Sequence, residues 1–335
     1  MSLFQGKEFG EIRLFDPEEG ILVRDAPGEG AGWWAGAPNA YFDKESNMFH
    51  LVYRLRFPTD RGRGIELRIA SSDNGVSFVD IWALSRYSLN AQSVERCAIS
   101  KTQTGVWQLY VSYVGAQDGK WRIGLIEANE PDSFDPDNMV PFLEPDDILT
   151  EGVKDPVLFR LGCADYMFVT CAVPSDSCDA DQIADGHQCG NVFNSKDVNA
   201  RSGAVMMVHG QRPVWLGMLQ FVGHPVPATT EMPWDNHCCR VSTILPLETG
   251  GYIVFYDGGS SAEHNHEEMT GIAYSTDLLT WRLLSTDRSV LRSPHGTNSL
   301  RYLDLLSVGH EIFAYYEYAK PDGSHELRVS VFERG

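Results

Sequence analysis

Ser93-Val94-Glu95-Arg96-Cys97-Ala98-Ile99-Ser100-Lys101, continued through Gly105-Val106-Trp107-Gln108-Leu109-Tyr110-Val111-Ser112, is the stretch whose reading decides the fold. A short strand that opens on a charged pair is followed by a Gly-containing turn and a second strand of aromatic and β-branched residues, the pattern of a β-hairpin. The outline returns four times. Gly36-Ala37-Pro38-Asn39 leads into Met48-Phe49-His50-Leu51-Val52-Tyr53-Arg54, and Lys154-Asp155-Pro156-Val157 leads to Tyr166-Met167-Phe168-Val169-Thr170. Arg240-Val241-Ser242 precedes Gly251-Tyr252-Ile253-Val254-Phe255-Tyr256-Asp257, and residues 295–301 precede Ile312-Phe313-Ala314-Tyr315-Tyr316-Glu317. Glu95 follows Ala37 by 58 residues, Asp155 follows Glu95 by 60, and Leu300 follows Arg240 by 60. Asp155 and Arg240 are further apart because a polar stretch, residues 174–202, is inserted between them. Loops of that length are often functional lids.

Alternation sets the element type. Phe49, Leu51, Tyr53 and Leu55 alternate with His50, Val52, Arg54 and Arg56, and Ile65, Leu67 and Ile69 alternate with Glu66 and Arg68. This period of two is that of strands with one packed face. Ser71-Ser72-Asp73-Asn74-Gly75-Val76-Ser77-Phe78 closes the first unit, and Tyr274-Ser275-Thr276-Asp277-Leu278-Leu279-Thr280-Trp281 echoes it at the close of the fourth. The recurrence predicts an all-β chain forming a single five-bladed β-propeller over 1–335. Its blades fall at about 36–80, 93–130, 153–222, 236–285 and 295–334, with residues 11–24 as an N-terminal closure strand. A two-sheet sandwich is the weaker alternative, because sandwiches require no recurring register.

Composition narrows the partners. With 27 basic and 46 acidic side chains the formal charge is −19, which argues against nucleic acid and anionic membrane surfaces. There is no apolar run of membrane-spanning length and no basic-then-apolar leader. Seven cysteines without framework spacing read as reduced thiols, so a cytoplasmic location is expected. Cys178, His187 and Cys189 share the inserted loop, but a closed zinc site wants a fourth ligand. Cys238-Cys239 reads as buried packing.

At these residues the chain resembles the five-bladed propeller superfamily of glycoside hydrolases, which includes the family 43 arabinanases and xylosidases and the family 130 mannoside phosphorylases. Lys154-Asp155-Pro156 is similar to the acidic-residue-then-Pro blade opening of those families, and residues 275–281 to an arabinanase blade ending. Pro294-His295-Gly296-Thr297-Asn298-Ser299 is similar to the opening whose His faces the central channel, often beside calcium, and Tyr53-Arg54 to the Tyr-Arg pair of the phosphorylases. The resemblance implies a carbohydrate ligand, no required cofactor, and a structural calcium in the channel near His295. It departs at Ala37-Pro38, where arabinanases carry an Asp as general base.

Residues that open the units converge at one end of a propeller, which groups Glu95, Arg96, Asp155, Arg240, His295 and Arg301. Glycoside cleavage needs a carboxylic acid to protonate the leaving oxygen and a carboxylate to activate water or attack carbon. Glu95 is the expected acid and Asp155 the expected base of an inverting reaction on a small oligosaccharide or glycoside, with the two roles interchangeable. Arg54, Arg96, Arg240, Asp257, His295, Arg301 and Glu317 are the expected substrate-binding residues. Asp257 and Glu317 end second strands and so stand one layer further out; Tyr316-Glu317 would be a nucleophile pair only in a sialidase. The arginines, Arg56 and Arg68 included, present forks that match carboxylate or phosphate. Phosphorolysis with phosphate held by arginines is therefore an alternative, and Ala37 raises another, a non-catalytic carbohydrate-binding propeller. His264, His266, Glu267 and Glu268 form a polar loop placed for sugar contact, while Trp33, Trp34 and Trp234 read first as core packing.

Overall fold

The alternating segments form strands, and consecutive strands pair antiparallel into meanders. The computed structural model describes residues 14–176, 178–207, 212–223 and 233–333. In chain order the elements are β1 (Ile21–Arg24), β2 (Trp34–Asp43), β3 (Met48–Arg56), β4 (Gly64–Ser72), β5 (Val79–Ser85), β6 (Ala98–Lys101), β7 (Trp107–Val114), β8 (Trp121–Ala128), β9 (Val140–Leu143), β10 (Val153–Leu161) and β11 (Ala164–Pro174). The helix α1 (Ala180–Gln188) follows, then β12 (Val198–Met207), β13 (Val214–Met218), β14 (Gln220–Val222), β15 (Cys238–Pro246), β16 (Tyr252–Gly259), β17 (Met269–Ser275), β18 (Thr280–Leu283), β19 (Leu300–Val308), β20 (Glu311–Ala319) and β21 (His325–Glu333).

Strands β2 to β5 form one meander and β6 to β9 another; β10 to β13, β15 to β18 and β19 to β21 run the same way. Among the described residues three parallel contacts run between neighbouring meanders: Trp34 to His325, Ala200 to Cys238, and Phe221 of β14 to Trp281 of β18. Strand β1 pairs antiparallel with β21 through Ile21 and Val329. Of the expected closure strand, residues 11–13 lie outside the described residues, and Leu14 and Phe15 are not in a strand. Phe15 instead packs on Tyr316 and Phe332, with ring centroids 5.2 and 5.7 Å apart.

Apolar side chains fill the spaces between neighbouring meanders. Val52, Leu67 and Ile69 meet Val94, Ile99 and Leu109; Val157 and Phe168 meet Val241, Val254 and Trp281; Leu245 and Phe255 meet Leu303 and Ile312. The inserted stretch is not a bare loop: α1, capped by the Asp179 side chain on the Asp181 amide, lays Ile183 into a cluster with Trp121, Val192, Phe193 and Cys238. Cys238 and Cys239 are buried. Cys178 and Cys189 are exposed, His187 lies 2.8 Å from Glu151, and no group of three or more His, Cys, Asp or Glu suited to a metal occurs among the described residues. No described helix is long and apolar enough to cross a membrane.

The sequence echo at the ends of the first and fourth units is a structural repeat. Ser72 Oγ accepts from the amides of Asn74 and Gly75 while Asn74 Oδ1 accepts from Val76 and Ser77. Ser275 Oγ accepts from Asp277 and Leu278 while Asp277 Oδ1 accepts from Leu279 and Thr280. Each turn satisfies four amides that no strand ladder serves. Asp277→Ala is expected to cost about 1 kcal/mol by urea denaturation, since two amides lose a protein acceptor but can turn to water.

Candidate functional site

A repeated distortion marks the first strand of four of the five meanders. Register shifts fall between Gly36 and Asn39 in β2, Lys154 and Val157 in β10, Val241 and Thr243 in β15, and Arg301 and Asp304 in β19. Ala37, Asp155 and Tyr302 sit in three of these shifts with φ of 53, 56 and 54°, a left-handed conformation that costs an L-residue energy. Bulges re-aim side chains, and here they do so near the start of each of these four strands. Side chains then tie each meander to the next. Asn39 Oδ1 accepts from Ile99 N, Ser112 Oγ from Asp155 N, Ser202 Oγ from Val241 N, Thr243 Oγ1 from Leu305 N, and Asp304 Oδ2 from Ala40 N. Ser112 also accepts from Glu95 N through its carbonyl, so one residue anchors the backbones of both Glu95 and Asp155.

Within this frame lies a buried belt of alternating charge. Glu95 is 2.7 Å from Arg54, Arg54 is 2.6 Å from Glu317, and Glu317 is 2.7 Å from Arg301. Arg301 is 2.8 Å from Glu268, and Glu268 is 2.9 Å from Arg240. Arg240 then stands 3.5 Å from Asp155 and 3.4 Å from Asp257, and Lys154 is 3.4 Å from Asp155. Arg96 donates to the Pro38 and Ser242 carbonyls and to Asp304. Tyr302 lies beneath the guanidinium groups of Arg240 and Arg301, 5.0 and 4.9 Å from its ring centroid. Gly36 makes room for the belt: a Cβ there would stand 2.1 Å from Glu317 Oε2.

The charges set one another's protonation. Burial alone would raise Glu95, but Arg54, then Lys154, Arg301 and Arg56, hold its carboxyl below the usual range. Glu268 is likewise pulled down to about 2, burial being outweighed by Arg240 and Arg301. Glu317 falls well below its ordinary value against the opposition of burial, through Arg301 and Arg54. Asp257 goes the other way, to about 6, pushed by burial and the charge of Glu268 against the pull of Arg240.

The sequence-derived set is thus brought together in large part: Glu95, Asp155, Arg54, Arg240, Asp257, Arg301 and Glu317 share the belt, and Arg96 joins β19 beside it. Glu317 stands on the second strand of its meander, β20, yet pairs with Arg54 and Arg301 directly and accepts from His325 Nδ1 at 2.8 Å. Tyr316 points to the other face, its hydroxyl donating to the Pro17 carbonyl, so the two do not form a nucleophile pair. His295 stands apart, its side chain 38% exposed and 3.3 Å from Glu18. Among the described residues no group of three or more His, Cys, Asp or Glu gathers around it. Arg68 pairs with Glu66 and Asp80, away from the belt. Glu268, read as a rim residue, is buried between two arginines, and Trp34 and His325 stack at 4.4 Å beside Arg301.

Neither a family model nor a curated protein matches the chain. Solved structures do. A β-xylosidase, RS223, superposes with a TM-score of 0.59 at 13% identity over 92% of this chain and 94% of its own. A GH43_1 enzyme from Xanthomonas citri complexed with xylotriose gives 0.60 at 11% identity, over 93% and 90%. The endo-arabinase from Bacteroides thetaiotaomicron gives 0.57 at 11% identity, over 94% and 97%. At such identities the likeness is one of fold, and it extends over nearly the whole chain.

Two outcomes test the belt. Glu317→Gln removes the anion shared by Arg54 and Arg301 and is expected to lower stability by about 3 to 5 kcal/mol, read from urea unfolding. Gly36→Ala should also destabilise, by forcing the same carboxylate aside. The pH dependence carries two signs. Glu268 titrates at an ordinary 4.5 when unfolded and at about 2 when folded, so its contribution is complete above 4.5 and disappears as pH falls through about 2. Asp257 rises from 3.8 to about 6 on folding, so its contribution is present below 3.8 and lost as pH rises through about 6. Glu268→Gln should flatten the acid limb of the stability profile, and Asp257→Asn should remove the loss between pH 3.8 and 6.

Proposed function

We propose that this chain is a five-bladed β-propeller of glycoside-hydrolase type that takes a carbohydrate at the end where its inner strands begin, and that Glu95 and Asp155 act there on a glycosidic bond. The side-chain ties that run from strand to strand and return from Asp304 to Ala40 support the five-blade reading. The observation that carries the site is Asp155 itself. Its carboxylate is 2% exposed and neither oxygen has a hydrogen-bond partner, although Lys154 and Arg240 stand within 3.5 Å. A buried acceptor left open is costly in a finished core, and a water or sugar hydroxyl would satisfy it.

Asp155 takes the part of the base, with Lys154 and Arg240 beside it. Inversion places a water between base and sugar, and the acid on the opposite side of the bond. Glu95 supplies the acid, and Arg54 works against its protonation. Hydrolysis by this pair therefore belongs to acidic solution: kcat/KM should fall as pH rises above the lowered pKa of Glu95. A second reading, carbohydrate binding without cleavage, is favoured by the same depression of Glu95 and by Ala37 at the position where an aspartate was looked for.

A panel of aryl glycosides, with calorimetry on the same sugars, separates the two. Glu95→Gln and Asp155→Asn should each lower turnover by about 100-fold or more, the scale of acid-base catalysis. Wild-type rates in both variants would sink the residue assignment, and affinity without product would establish the binding reading instead.

A further inference from the structure

Every arginine of the belt has an acidic or carbonyl partner, but Arg56 does not. Placed at the end of β3, it is 4% exposed, forms no ion pair among the described residues, and leaves Nη1 without a hydrogen-bond partner. Its guanidinium stacks 4.1 Å above the ring of Trp34. Burial, then Arg54 and Arg301, pull its pKa down to about 9, so it stays charged near neutrality, while Glu95, the acid nearest in effect, is taken up by Arg54.

The same Trp34 ring lies 5.9 Å from the imidazole of His266, centroid to centroid. His266, with φ of 91° on the loop before β17, has a buried Nε2 with no partner. Its imidazole is kept neutral by burial and by Arg56, Arg301, Lys154 and Arg63 around it. Two of those four cations are committed, Arg301 to Glu268 and Glu317, and Arg63 to the Gly190 carbonyl and Asn191 Oδ1. Lys154 has only the 3.4 Å contact to Asp155 and the ring faces of Trp121 and Phe193, at 5.1 and 4.8 Å. In a chain of net charge −19, Arg56 thus keeps a buried positive charge that no acid pairs with among the described residues.

We propose that Arg56, Lys154 and His266 form an oxyanion subsite, and that the molecule taken at this end presents a carboxylate or phosphate group to it. The chemistry matches part by part. A guanidinium fork offers parallel N–H donors to two oxygens, an ammonium adds a point charge, and a neutral imidazole protonated at Nε2 donates one hydrogen bond. The subsite rests on the reading of this end as a carbohydrate site only for where the anion comes from: a carboxylate borne on the sugar, or free phosphate.

Calorimetry tests it with galacturonate oligomers, the matching galactose oligomers, and inorganic phosphate. The acidic oligomers should bind the wild type about tenfold tighter or more, as one charge-assisted bidentate contact allows, and the preference should shrink with added salt. Arg56→Met should erase it while leaving neutral-sugar binding in place, and Arg56→Lys should restore part. Phosphate binding that Arg56→Met abolishes also supports the subsite and assigns the anion to free phosphate. Equal affinity for acidic and neutral oligomers together with no phosphate binding overturns it, as does a preference that survives in Arg56→Met. Because the substitution removes an unpaired buried cation, the thermal midpoint should hold or rise; a marked fall would show Arg56 partnered within the fold and end the proposal. Neutral binding without acid preference would leave the carbohydrate reading standing without the subsite. Phosphate binding lost in Arg56→Met, with no sugar bound, would do the reverse.

Discussion

The constraint on which the rest depends is the burial of many charges at the centre of an otherwise apolar assembly. Taking an ion out of water costs several kcal/mol after relaxation, and the cost is recovered only where opposite charges and hydrogen bonds surround it. The belt meets that condition by sharing: Glu317 serves Arg54, Arg301 and His325, and Glu268 serves Arg240 and Arg301. Because the partners come from β3, β15, β19 and β20 and from the segments before β6 and β17, the charges are compensated only when the meanders are all in place. The apolar clusters lie between neighbours and hold them pairwise; the belt makes the arrangement collective.

The same device supplies both rigidity and chemistry. Side chains locked by ion pairs cannot readily turn to a ligand, so much of the belt is scaffold, while some of its groups and neighbours keep polar atoms without a partner. Asp155, Arg56 and His266 are of that kind. The bulges separate the two roles, since at Asp155 the extra residue sets a carboxyl against cations without a full set of hydrogen bonds. Left-handed backbone at three such points is strain the surrounding structure has to carry.

How much of this was legible in sequence differs by residue. Glu95, Arg96, Asp155, Arg240 and Arg301 could be grouped because each opens a repeated unit, and spacing near 60 residues survives whatever lies between. The fold likeness to the xylosidase and arabinase structures was readable for the same reason. Glu268 was not, because it precedes a third strand whose start follows a loop of irregular length, and nothing in Glu267-Glu268 says which of the two turns inward. His295 misled because resemblance placed it at a strand opening, whereas β19 begins at Leu300 and leaves it at the surface beside Glu18. The opposite facing of Tyr316 and Glu317 follows from strand alternation alone. That Arg56 has no ion pair among the described residues is invisible to any count of charges, since the chain has acids in excess and only their placement leaves this buried guanidinium without one.

Ala37 holds a left-handed backbone, at φ 53°, in the same kind of bulge that carries Asp155. Aspartate and asparagine tolerate this conformation better than alanine does, because their short polar side chains can bond locally. The bulge of β2 therefore holds a methyl where the backbone would suit a short polar side chain better, so part of its strain could be relieved at a single position with no rebuilding of the strand.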